Sequence, residues 1–344
     1  MTPREERHPI WQGPAANWEN ETNNNRDTTV KKYQYLFGPV PSRRFGRSLG
    51  VDLSPYKTCS FDCLFCQLGR TTLKTIRREE YVPTQDVIEE LSDWIASFDE
   101  ADYITLAGSG EPTLHSRFGD IIEFARGATS IPVALLTNAS LLTDADVRAS
   151  AAKANVVKVS LSAGGQDLFE YVNQPHPDVM LKDILDGLQA FRNEFTGQLW
   201  LEVFVMWGVN STIEEISRIA ELAQTFRPDR IHLNTAVRPP AESFIKPVPK
   251  QRLEELAECF KPHGEVVAEF HSDCIPLEAA NGGDILAMLQ RRPCTTMEVS
   301  AVLGLHVNEV SKYIGKLVRT GQIHTKRSGS AIYYTGQDES GTDE

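Results

Sequence analysis

The sequence has no apolar run approaching the ~20 residues needed to cross a bilayer, which excludes a membrane-spanning helix. Its N-terminus carries no apolar signal-peptide core, so the expected location is the cytoplasm, with no membrane partner. Cysteine is scarce, with six in 344 residues and none before Cys59. In a reducing compartment so few cysteines read as free thiols or metal ligands, not as a disulfide framework. Positive charge is also in deficit: 35 Lys and Arg against 47 Asp and Glu give a formal charge of −12. That balance argues against a chain that coats nucleic acid over its whole surface. What remains is an ordinary globular composition, 41% hydrophobic and 24% charged, long enough for one large domain and a small one.

The few cysteines are concentrated. Cys59, Cys63 and Cys66 stand within eight residues, in the segment that runs from Lys57 to Arg70. This spacing offers three thiolates to one metal centre and withholds a fourth. An iron–sulfur cube held by three cysteines keeps one iron free for another ligand. A closed zinc site takes four ligands, and no His or neighbouring Cys is near enough in sequence to complete it. A zinc knuckle finished by a distant residue, or buried thiols without metal, are the other readings of the triplet.

Residues 1–30 are polar, Asn-rich and aperiodic, which predicts a flexible arm, and residues 336–344 predict a disordered acidic tail. Between them, apolar runs at 49–53, 103–107, 133–136, 156–161, 199–206 and 230–233 predict strands covered on both faces, as in a parallel sheet. Amphipathic helices fill the gaps. Thr84 is the expected N-cap ahead of Val87, Leu91 and Trp94; Thr143 to Asp146 opens another helix; Ser211 and Glu214 suggest a capping box; and Ile184, Leu188 and Phe191 mark a further face. Six strand–helix units in series predict a parallel sheet that curls without closing, the eight-unit barrel being out of reach; an open doubly wound sheet is the alternative. Either form gathers reacting groups at the C-terminal ends of strands. There the sequence places the Cys loop, then Gly108-Ser109-Gly110-Glu111-Pro112, then Thr137 and Asn138, then Ser160 and Ser162, then Trp207 to Asn210, and finally His232, Asn234 and Arg238. The two glycines would let a ligand approach the backbone closely.

The Cys59-x3-Cys63-x2-Cys66 spacing, with Phe65 before the last cysteine, and the Gly110-Glu111-Pro112 loop after the second strand resemble the radical S-adenosylmethionine (SAM) enzymes. The resemblance covers about residues 35–275, within an expected core of 31–275. The opening, Phe37 to Arg44 and Arg47 to Asp52, resembles the wyosine-synthetase-like branch. It implies an α/β core folded as a partial (β/α)6 TIM-type barrel. It also implies a [4Fe-4S] cluster held by the three cysteines, with SAM on its open iron. One electron, from a donor such as flavodoxin or ferredoxin, would cleave the sulfonium and give a 5′-deoxyadenosyl radical that takes hydrogen from a substrate, with RNA one substrate class. By the same resemblance Gly108, Ser109, Gly110 and Glu111 would meet the methionyl end, with Asn138 at the following strand end. The Phe65 backbone would meet the adenine, Ser160 or Ser162 the ribose, and Asn210 the adenine side. Three departures stand out, one being Ser162, which lies where many such enzymes carry an acidic residue. Ala139 replaces the glycine usual after Thr-Asn, and no N-terminal cysteine set exists for the second cluster of archaeal wyosine synthases. Cys259, Cys274 and Cys294 read as free buried thiols, with ligands of a second cluster the alternative.

Residues 283–335 invert the charge balance, with seven Lys and Arg against three acids, so the module is +4 and the remainder −16. Three helical patterns, the second with Thr296 as its expected cap, and two short strands around Ser328-Gly329-Ser330 predict a winged helix. Lys312, Lys316 and Arg319, beside Ser311, would face outward on its third helix, and Arg327 would extend from the wing toward phosphate. A nucleic acid or a protein is the expected partner. The rival functions are a DNA-binding regulator that senses redox state or SAM, and a zinc-stabilised binding protein.

Overall fold

Short apolar runs alternating with amphipathic helices build one large sheet, described in a computed structural model over residues 33–42, 44–97, 100–267, 282–329 and 331–336. The expected arm at 1–30, the tail beyond residue 336 and Cys274 lie outside the described residues. Strand β1 (Leu36–Ser42) turns back antiparallel into β2 (Gly46–Val51). The loop after β2 carries β3 (Thr58–Cys59) and β4 (Leu73–Lys74), which pair in parallel apart from the main sheet. There follow α1 (Thr84–Ala96), β5 (Tyr103–Leu106), α2 (Phe118–Ala128), β6 (Val133–Thr137), α3 (Ala145–Ala151), β7 (Val156–Ser160), α4 (Gln166–Asn173) and α5 (Leu181–Glu194). Then come β8 (Gln198–Phe204), α6 (Ile213–Phe226), β9 (Arg230–Asn234), α7 (Lys250–Ala257) and β10 (Glu265–Val266).

The sheet order is β1-β2-β5-β6-β7-β8-β9-β10, parallel throughout except for the first pair. All six runs expected as strands are therefore strands of one sheet. Nearly every residue of β6, β7 and β8 is buried, because helices cover one face and the curled interior the other. Helix α1 supplies Val87, Leu91 and Trp94 to that cover, and α6 supplies Ile216, Ile219, Ala223 and Phe226. β1 and β10 occupy the two edges and do not pair, so the sheet is a partial barrel, not a closed one. These edge strands escape sequence reasoning for different reasons. β1 contains Pro39 and Pro41, which remove ladder donors and are tolerated at an edge, where its register slips between Phe37 and Val40. β10 is only two residues long.

Three expected caps shift by one residue. Thr84 is the first residue of α1 and not its cap; the Glu80 carboxylate accepts its backbone N–H at 2.7 Å. Thr212, not Ser211, caps α6 by accepting from the Glu215 N–H at 3.2 Å, while the Ser211 hydroxyl accepts from Gly208. Thr295, not Thr296, caps the second helix of the C-terminal module and forms a capping box with Glu298.

That module has the expected element order: α8 (Gly282–Arg291), α9 (Thr296–Leu303), α10 (Val307–Arg319), then an antiparallel hairpin of β11 (His324–Ser328) and β12 (Ala331–Thr335). Its own core gathers Ile285, Leu289, Val299, Leu303, Val310, Ile314 and Ile323. The Cys294 backbone pairs with Tyr334 and ties the entry of α9 to the hairpin. The module also packs on the barrel at its unclosed side. Val40 of β1 joins the module's core, and the Arg291 guanidinium lies 4.9 Å from the centre of the Phe37 ring. From the other side, the Tyr333 hydroxyl donates to the Val237 carbonyl at 2.9 Å, and Arg238 donates to Glu298 at 3.1 Å.

Candidate functional site

The Cys loop leaves β2 at the C-terminal end of the parallel strands and is pinned on α4. The Asp62 N–H donates to the Asn173 carbonyl at 3.0 Å, and the Leu64 N–H donates to the Val172 carbonyl at 3.0 Å. A different donor reaches each sulfur, Asn173 through this docking. The Lys57 ammonium donates to Cys66 Sγ at 3.1 Å, the Asn173 amide to Cys63 Sγ at 3.4 Å, and the Asn138 amide to Cys59 Sγ at 3.6 Å. The Phe65 ring stacks on Phe204 with centroids 4.4 Å apart. Burial, then the charge of Glu111, pushes the Cys59 thiol up to about 12; burial, then the neighbouring cysteines, pushes Cys63 up as well. Such thiols stay protonated until a cationic centre displaces the protons.

These sulfurs suit an iron–sulfur cluster. Their donors are N–H groups, which stabilise charge on ligating sulfur. Asn173 and Lys57 escape a sequence reading as sulfur partners. Asn173 lies 110 positions from Cys63, and Lys57 reads as an ordinary flanking charge.

The glycines of the second loop are required by close packing. A Cβ on Gly108 would meet Asp52 Cγ at 2.3 Å, and one on Gly110 would meet the Thr58 carbonyl oxygen at 1.9 Å. The loop is bolted to the Cys loop through those contacts: Ser109 N–H donates to Asp52 at 3.0 Å and Glu111 N–H to Thr58 at 3.1 Å. The buried Glu111 carboxylate accepts from the Thr113 N–H at 3.1 Å, both the Thr113 and Thr137 hydroxyls at 2.6 Å, and the Asn138 N–H at 2.7 Å. Burial raises its carboxyl above the usual range, and these donors work against that rise. Its side chain thus braces β5 to β6.

Asn138 Oδ1 accepts from the Ser140 N–H at 3.0 Å, and Ala139 adopts φ +66°. This left-handed conformation is why glycine is the usual residue at this place. Ala139→Gly is expected to stabilise the fold by about 0.5–1 kcal/mol, measured as a higher urea midpoint, and an unchanged midpoint refutes the strain. The Ser162 hydroxyl accepts from the Phe204 N–H at 3.0 Å. The fully buried Asn210 amide accepts from Met206 N–H at 2.7 Å and donates at 2.8 Å to the carbonyls of both Ser162 and Phe204. The side chains of Ser162 and Asn210 are therefore occupied in joining the ends of β7 and β8. Ser160, at the end of β7, is half-buried.

Below these loops the barrel interior holds charge. Glu202 of β8 accepts from Arg44 at 2.6 Å and from Asn234 at 2.9 Å, and pairs with Lys158 of β7. His232 on β9 is buried behind them, packed edge-on against Trp200 at 5.3 Å. Burial, then Lys158, Arg44 and Arg230, pulls His232 down to about 3, although the exposed Glu265 carboxylate lies 3.9 Å away. The unfolded chain therefore takes up this proton first. The stabilisation is complete above about pH 6.5 and is lost as pH falls toward the native value, on the order of 4 kcal/mol in all. Denaturant unfolding followed against pH is expected to show a shallower acid loss in His232→Gln; equal slopes refute it.

The exposed face of α10 carries Lys312, Lys316 and Arg319, and Arg327 is exposed on the hairpin, as the amphipathic pattern predicts. No helix among the described residues is long and apolar enough to cross a membrane.

A Radical SAM superfamily model matches residues 53–223. A UPF0026 protein from Methanocaldococcus jannaschii is 32% identical over 87% of this chain and 94% of its own length. A protein named GTPase Obg from Brachyspira hyodysenteriae is 32% identical over 91% of this chain, which spans 46% of that relative. Among solved structures, TYW1 with a lysine–pyruvate adduct bound is 14% identical with a TM-score of 0.42, over 84% of this chain and 80% of that one. The chain carries a radical SAM domain in a partial α/β barrel, and it belongs to the UPF0026 family as an enzyme of the radical SAM superfamily.

Proposed function

We propose that Cys59, Cys63 and Cys66 hold a [4Fe-4S] cluster whose open iron takes SAM, and that the enzyme acts on a substrate inside the barrel. When bound, this pair supplies a 5′-deoxyadenosyl radical that abstracts hydrogen from the substrate. The observation that carries the reading is the set of three sulfurs, each with its own N–H donor, at the mouth of a parallel barrel. Lys57, Asn138 and Asn173 position and electrostatically support the ligating sulfurs. The backbone of Gly108 to Glu111 receives the methionyl end and the backbone of Phe65 the adenine. Ser160 reaches the ribose, while Ser162 and Asn210 hold the strand ends that frame it. The walls exclude water from the reacting centre.

A one-electron donor such as flavodoxin or ferredoxin is the partner such chemistry requires, in the cytoplasm. The C-terminal module is read as a winged helix that recruits RNA through Lys312, Lys316, Arg319 and Arg327; their common exposure on α10 and the hairpin supports this. The test is anaerobic turnover with labelled tRNA fractions, read as 5′-deoxyadenosine release and deuterium transfer into it. Reductant-dependent release supports the enzyme, and transfer from tRNA supports RNA as substrate. Cluster and SAM binding without any release would instead favour the SAM-sensing regulator.

A further inference from the structure

A cavity of about 350 Å³ lies inside the open barrel, with Cys66 and Phe65 in its wall. Its charged lining is one-sided: Arg44, Lys158, Arg238 and Arg292 face a single carboxylate, Glu202. These cations converge from separate parts of the chain. Arg44 sits in the turn between β1 and β2, Lys158 on β7, Arg238 beyond β9, and Arg292 directly after α8 of the C-terminal module. Glu202 is already shared between Arg44, Lys158 and Asn234. The remaining nearby carboxylate, Glu298, pairs with Arg238 and is committed to the cap of α9.

Buried donors are left over. Among the described residues Nε of Arg44, Nε of Arg238 and Nη2 of Arg292 have no acceptor, although the Arg44 and Arg238 side chains are only 12% and 9% exposed. An unsatisfied buried donor is costly, and guanidinium groups gathered around one cavity repel one another. Burial, then the charge of Arg238, draws the Arg44 guanidinium down to about 10. Burial lowers the Arg292 guanidinium as well, with Cys294 and Glu298 working against the fall and Arg238 adding to it. A guanidinium N–H donates strongly to a carboxylate or phosphate, and one unpartnered nitrogen on each of three arginines around one cavity makes a receptor for such a group.

We propose that this chamber holds the substrate by an oxoanion, a phosphate or a carboxylate, through Arg44, Arg238 and Arg292, which deepens the radical SAM reading of the same site and rests on it for the word substrate. The C-terminal module is then a wall of the active chamber, because Arg292 belongs to it. Its docking across the unclosed side of the barrel completes the anion receptor.

The test uses full-length, cluster-loaded protein under anaerobic conditions without reductant, so it needs no turnover. Inorganic phosphate and succinate are titrated by calorimetry, each with and without saturating SAM. Saturable binding of at least one is expected, weakened about tenfold or more in Arg292→Gln and in Arg238→Gln. Arg117→Gln, at an arginine on the outer surface, should bind as the parent does. Preference for phosphate points to a phosphorylated substrate such as a nucleotide, and preference for succinate points to a small carboxylic acid. Arg292→Lys keeps the charge but loses the fork; it should fold as the parent does, judged by near-ultraviolet circular dichroism, and bind more weakly.

Absence of saturable binding, or equal binding by the parent and these variants, overturns the proposal. Loss of anion binding on adding SAM also overturns it, by assigning the arginines to the carboxylate of SAM itself. Anion binding without 5′-deoxyadenosine release under turnover conditions would sink the radical reading and leave the receptor standing, while release without anion binding would sink the receptor alone.

Discussion

Cys63→Ala protein, reconstituted anaerobically, is expected to lack the four-iron spectrum and to release 5′-deoxyadenosine only at background. The cause is the ligand count: three cysteines leave no spare, and the described cysteines elsewhere, Cys259 and Cys294, stand outside this loop. Cys259 lies just after α7 and Cys294 is buried in the C-terminal module. The structure adds a graded companion. Asn173→Leu removes the amide that donates to Cys63 Sγ at 3.4 Å but leaves the thiol in place. Loss of an outer-shell partner of this kind is expected to lower cluster retention or activity by about 10–100-fold. Iron content and electron paramagnetic resonance of the reduced protein measure both variants. A normal four-iron signal from Cys63→Ala would remove the cluster assignment.

Glu202→Ala is expected to destabilise the fold by about 3–5 kcal/mol, because it leaves the buried Arg44 and Lys158 charges without the carboxylate they share. In a chain of this length each kcal/mol moves the thermal midpoint by about 2–4 °C, so the fall should be plain in a melting curve. Combining Glu202→Ala with Lys158→Met should recover part of the loss, since one of the two stranded charges goes with it. Urea unfolding of both single variants and the double variant measures the coupling. A loss under about 1 kcal/mol for Glu202→Ala would mean that water reaches and screens the pair.

The correspondence between sequence and structure is uneven for a physical reason. Runs such as 133–136 and 156–161 are legible because a strand buried on both faces must be apolar at nearly every position. The order of α8, α9, α10 and the hairpin is legible from helical period and turn residues. β1 hides behind its prolines, and the caps of α1, α6 and α9 sit one residue away because Ser and Thr stand at adjacent positions or the preceding Glu80 serves instead.

What the linear chain alone determined about this protein is the set of residues whose chemistry is local: three cysteines at open-cluster spacing, the Gly-Glu-Pro loop, six apolar strands and a basic final module. The fold alone decided their surroundings. It brings Asn173 to a sulfur, occupies Glu111 and Asn210 as braces, sets Gly108 and Gly110 against Asp52 and Thr58, and draws Arg44, Arg238 and Arg292 around one chamber. Those relations join residues up to hundreds of positions apart. They exist only because a curled sheet returns its strand ends to one place, and no periodicity along the chain encodes such a meeting.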